Sequence, residues 1–122
     1  MKNEEAVRYL ANIYHILASD SDVGRDEERL LEEVSREIGA GYPERRLAKE
    51  LAKSQGIQTH VAARWSDRIG NLEDMIFAAY SNEVLEPAEK QAIVEYAKHL
   101  DIDQKQLNLI KQEAKRRHEE SQ

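Results

Sequence analysis

Apolar residues recur at three- and four-residue spacing along most of the chain, the period of a helix with one face turned inward. Over residues 4–19 that face is Val7, Leu10, Ile13, Tyr14 and Leu17. The stripe stops at 19–22, where Ser and Asp side chains compete for backbone hydrogen bonds. It resumes from Arg25 to Ile38 with Leu30, Leu31, Val34 and Ile38. Gly39 and Gly41 end it, glycine suiting the left-handed C-terminal position. Pro43 opens a third helix, Glu44 to about Gln55, with Leu47, Ala48 and Leu51 inward. Thr59 caps a fourth that carries Val61, Ala62 and Trp65, and Gly70 with Asn71 ends or kinks it. A fifth helix, Leu72 to Tyr80, turns Leu72, Met75, Ile76 and Ala79 to the core. Pro87 begins the sixth, with Ile93, Tyr96, Ala97 and Leu100 inward. Asp103 caps the seventh, which holds Leu107, Ile110 and Ala114 and frays from about residue 117 to 122. No segment alternates as a strand does. The pattern predicts an all-α, single-domain bundle of about seven helices.

The pattern is written twice. Displaced by 62 positions, Asp20 falls on Asn82, Val23 on Leu85, Glu27 on Glu89, Leu31 on Ile93, Val34 on Tyr96 and Ile38 on Leu100, without a gap. Each copy reads helix, acidic turn, helix. The halves are about 4–40 and 70–102, which implies a pseudo-two-fold arrangement.

Composition narrows the picture. The 122 residues form one domain by length, long enough to bury roughly two-thirds of the unfolded surface. The chain has no cysteine, so disulfides and thiolate chemistry are excluded. Charged residues make up 34% with a net charge of −6, which disfavours a general nucleic-acid binder. No apolar run approaches ~18 residues and the start of the chain is polar, so the expectation is a cytoplasmic protein without membrane insertion.

The acidic turns are the candidate site. Asp20 and Asp22, with Glu27 one turn into the next helix, can converge on a hard cation such as Ca²⁺ or Mg²⁺, which takes several oxygen ligands. The second copy supplies Asn82, Glu83 and Glu89. The spacing is not that of an EF-hand. Helix capping accounts for the two glutamates equally well. If Gly24 and Glu86 are the N-caps, Glu27 and Glu89 stand at the third helical position, from which a glutamate reaches back to the cap N–H.

Ala18, Asp20, Val23, Glu27, Leu31, Val34, Ile38 and Gly39 form a phrase that resembles the TerB-like family, which spans tellurite-resistance TerB and a domain of membrane-anchored J-domain co-chaperones. Leu85, Pro87, Glu89, Ile93, Ala97, Leu100 and Ile102 repeat it, and 106–110 is similar to the family's last helix. The likeness covers residues 4–116. It implies a seven-helix bundle and a metal or partner site at the acidic turns. By the same resemblance the chain is a non-enzymatic stress-response or adaptor module with a protein partner, a membrane-associated complex included. The family's Asp-Gly turn is replaced here by Asp20-Ser21 and Asn82-Glu83.

A second reading belongs to another class. Leu51, Gly56, Arg64 and Trp65 echo a helix-turn-helix phrase over 47–65, in which a helix from about Gln58 would present Gln58, Thr59, His60 and Arg64 to a major groove. Residues 43–68 carry six basic side chains against three acidic ones. Opposed to it, Gln55 stands where an apolar residue should pack. The four histidines are scattered, His15 as a half-buried helix position, and no spacing recommends a nucleophile–base pair. Lys111, Lys115, Arg116 and Arg117 read as a solvated helix end.

Overall fold

The computed structural model describes residues 1–17, 25–81 and 87–120. Among them are six helices and no strand: α1 (Asn3–Leu17), α2 (Arg25–Ile38), α3 (Tyr42–Ser54), α4 (Trp65–Ser81), α5 (Pro87–His99) and α6 (Gln104–Glu120). α1 and α4 pack on each other at the centre. α2 and α3 lie against α1, and α5 and α6 against α4. The central position of α1 follows from its sequence. Ala6, Tyr9, Leu10, Ile13, Tyr14, Ile16 and Leu17 are buried around most of its circumference, so it needs neighbours on several sides. α2 buries the narrower stripe Leu30, Leu31 and Val34, with Ile38 half-buried at its end. Among the described residues no helix is long and apolar enough to cross a membrane.

The helix boundaries fall in pairs 62 residues apart: starts at 3 and 65, 25 and 87, 42 and 104. The ends of α2 and α5 correspond as well. α2 closes with the Ala40 N–H donating to the Ser35 carbonyl (2.7 Å) and Gly39 N–H to Arg36 (3.3 Å), Gly39 standing at φ +76°. α5 closes with Ile102 N–H donating to Ala97 (3.1 Å) and Asp101 N–H to Lys98 (3.0 Å), Asp101 standing at φ +55°. Both are Schellman ends, which satisfy the last carbonyls through a left-handed residue. α3 and α6 start alike: Glu44 accepts from Gly41 N–H (3.0 Å), and Gln106 from Asp103 N–H (3.0 Å). The glutamate or glutamine at the third position reaching back is the capping-box geometry.

Three expectations are corrected. The predicted fourth helix is not formed: 55–64 is irregular, and α4 begins only at Trp65. Val61 and Ala62 are core residues there, but as a plug rather than a helical face, while Trp65 is 52% exposed. The segment holds its backbone hydrogen bonds to side chains instead. Asn12 takes both the N–H and the carbonyl of Gln58 (2.7 and 2.9 Å), and Arg68 Nε donates to the Ala62 carbonyl (2.7 Å). Gly70 and Asn71, the predicted break, lie inside α4. Gly70 faces the end of the Tyr9 side chain, where a Cβ would sit 3.4 Å from Oη. In α3 the seat is Ala48, fully buried, with Leu51 and Ala52 half-buried beside it. Leu47, expected inward, is 59% exposed, since with Ala48, Leu51 and Ala52 facing the core it stands about 100° around the helix from Ala48.

The C-terminal turn of α6 is the other departure. The helix continues to Glu120 past the point where apolar residues run out. Arg117 turns inward, donating to Asp74 (3.1 Å), pairing with Glu73 (3.5 Å) and lying over the Phe77 ring (4.8 Å). His118 meets Phe77 edge-on and stacks on Tyr80. Fraying was expected from the lack of apolar side chains, but ion pairing and ring contacts do the holding.

Candidate functional site

Of the residues expected at the acidic turns, Asp20, Asp22, Asn82 and Glu83 lie outside the described residues. Glu27 and Glu89 are described, each at the third position of its helix. Glu27 is half-buried. Glu89 is 3% exposed, and neither carboxylate oxygen has a hydrogen-bond partner. That sets it apart from its counterparts on α3 and α6, whose third-position side chains each bond their cap. Among the described residues, the other buried side-chain atoms without partners are Arg8 Nε and Tyr96 Oη. Tyr96 is a neutral phenol, its pKa raised by burial. Glu89 is the one carboxylate in that set. No group of three or more His, Asp or Glu that could hold a metal occurs among the described residues.

A second constellation, unexpected from the sequence, runs through the centre of the molecule. Asn12 on α1 is fully buried and donates to Asn71 Oδ1 on α4 (2.8 Å) as well as to Gln58. Asn71 donates back to the Tyr9 carbonyl (2.9 Å). Tyr9 Oη donates to Asp74, whose other oxygen accepts from Arg117. Burial pushes the Tyr9 phenol upward, and the Asp74 charge adds to the shift. Burial also raises the Asp74 pKa, against the opposing pull of Tyr9 and Arg117. Each member satisfies another, so the chain of bonds ties α1, α4, α6 and segment 55–64 without leaving a free reactive group. Its chemistry is positional. A sequence signal existed: Asn12, Asn71 and Asp74 are polar residues set within apolar helical faces.

The segment proposed to meet DNA does not contain a helix starting at Gln58. Gln58, Thr59 and His60 lie in the irregular stretch, and the backbone of Gln58 is bonded to Asn12. Arg64 is exposed just ahead of α4. The geometry that would lay Gln58, Thr59, His60 and Arg64 along one helical face is therefore absent from this segment.

Set beside known protein families, curated proteins and solved structures, the chain matches none of them.

Proposed function

We propose that the chain is a non-enzymatic, TerB-like helical module that binds a divalent cation at its acidic corners, or a basic group of a protein partner there. The observation that carries this reading is Glu89. A carboxylate buried to this degree without a hydrogen bond is costly, and the cost is relieved by a counter-charge. Glu89 follows directly on the corner that holds Asn82 and Glu83, so oxygen donors of the kind Ca²⁺ and Mg²⁺ take are close to it in sequence. The 62-residue correspondence of helix starts, Schellman ends and capping boxes supports a repeated unit, now of three helices rather than two. It thereby supports the family resemblance and an equivalent corner at Asp20, Asp22 and Glu27. An adaptor role in stress response, tellurite resistance included, is what that resemblance suggests.

The test is a thermal-melting series with Ca²⁺ and Mg²⁺ at millimolar concentration. Wild type should melt higher with cation present, since a ligand of the native state stabilises by mass action. Glu89→Gln should remove the part of the rise owed to the second corner, and Asp20→Ala with Asp22→Ala the remainder. An unshifted wild type, or an undiminished rise in Glu89→Gln, rejects the cation reading.

A further inference from the structure

A cleft of ≈ 380 Å³ opens between α4, α5 and α6, with Ile76, Ala79, Ile93 and Val94 as apolar lining and Lys90 and Lys111 beside them. It is separate from the central polar chain, and it is independent of the cation reading. The size lies at the lower end of small-ligand pockets. Neither lysine makes a salt bridge with a described carboxylate.

The 62-residue correspondence supplies an internal comparison. Ile76 and Ala79 stand where the first half has Tyr14 and Leu17, both larger and both buried. Two wall positions of the second half are thus smaller than their first-half counterparts, while Tyr80, also on the wall, is larger than Ala18. Lys90 stands where the first half has Glu28, and Val94 where it has Glu32, while the lysine of the third helix is kept (Lys49 and Lys111). Two acids and one base become two bases and a valine, in a protein whose net charge is −6. The smaller side chains at 76 and 79, the lost acids and the gained base coincide at one place.

We infer that this cleft binds a small amphiphilic carboxylate, an aliphatic chain of about eight to ten carbons whose tail lies along Ile76, Ala79, Ile93 and Val94 and whose head meets Lys90 and Lys111. The tail gains from burial in proportion to its length, and the unpaired ammonium groups select the charged head.

Octanoate, kept below its micellar range, is titrated into the 122-residue chain and followed by amide chemical shifts. Saturable shifts at Ile76, Ala79, Ile93 and Val94 are expected. From hexanoate to decanoate the affinity should rise about fourfold per added methylene. Octanol and an alkyl-trimethylammonium of equal length should bind at least tenfold more weakly, as should octanoate to Lys90→Glu with Lys111→Glu. Refilling the cleft with the first half's residues, Ile76→Tyr with Ala79→Leu, should abolish binding while the spectrum stays dispersed. The two lysine changes lie at the cleft edge and keep the test open if the refilled variant fails to fold. Absence of saturable shifts at the cleft, octanol binding as tightly as octanoate, or affinity unchanged in the lysine variants overturns the inference.

Discussion

Asn12→Ala removes three hydrogen bonds at once: those to the N–H and carbonyl of Gln58, and that to Asn71 Oδ1. Their loss is not equivalent. Gln58 is half-buried, so its backbone groups can regain water in part, at roughly 0.5–1 kcal/mol each. Asn71 is fully buried, and its stranded oxygen costs ~1–3 kcal/mol. The sum is about 3 kcal/mol, a large share of the ~5–15 kcal/mol that holds a domain together. For a chain of this length it corresponds to a fall in Tm of roughly 10–15 °C. Urea unfolding followed by circular dichroism measures the loss, with Asn12→Leu as a variant that keeps side-chain volume and still lacks the bonds. Hydrogen exchange adds a local reading, because the Gln58 amide should lose its protection in both variants while the amides of α2 keep theirs. A loss below about 1 kcal/mol with Gln58 still protected would refute the view that Asn12 fastens segment 55–64.

Other outcomes follow from the same structure. Asp101 and Gly39 hold the same left-handed place at two helix ends, so Asp101→Gly should stabilise and Gly39→Ala destabilise, each by about 1 kcal/mol in urea unfolding. The Asp74 carboxyl holds its proton more tightly folded than unfolded, so its share of stability is complete below the unfolded value near pH 4 and declines as pH rises through the folded one. Asp74→Asn should therefore flatten the fall in stability as pH rises from about 4, seen as the difference between wild-type and variant midpoints at matched pH. Without added cation, Glu89→Gln should raise Tm, since it replaces a buried carboxyl group that has no hydrogen-bond partner with a neutral amide of the same shape. A drop would mean that the carboxyl group is already satisfied.

Much of the helical frame was legible because burial imposes a period on apolar residues. α2, α5 and the start of α6 match the stripes and punctuation at Gly39, Pro87 and Asp103. The sequence misled where the local signal and the tertiary use diverged. Gly70 and Asn71 carry poor helix statistics, yet they sit mid-helix, where Asn71 bonds the Tyr9 carbonyl and Asn12 across to α1 and tertiary bonding outweighs propensity. Thr59 announced a helix, but Asn12 and Arg68 supply the bonds that a helix would have supplied. At the candidate site, Glu89 was visible as a repeated glutamate. Its burial was not visible, because the capping position it occupies is exposed in most helices. The cleft was hidden for a related reason: Ile76 and Ala79 fit an inward stripe as well as Tyr14 and Leu17 do, and only packing distinguishes a filled space from an open one.

The Asn12–Asn71–Tyr9–Asp74 chain also sets how the two middle helices can move. Sliding one past the other by a single residue would break every one of these bonds together. The two helices are thus locked into one lever. α1 runs out at Leu17 and α4 at Ser81, so the register held between them also fixes the relative positions of the two points at which the chain leaves the central helices.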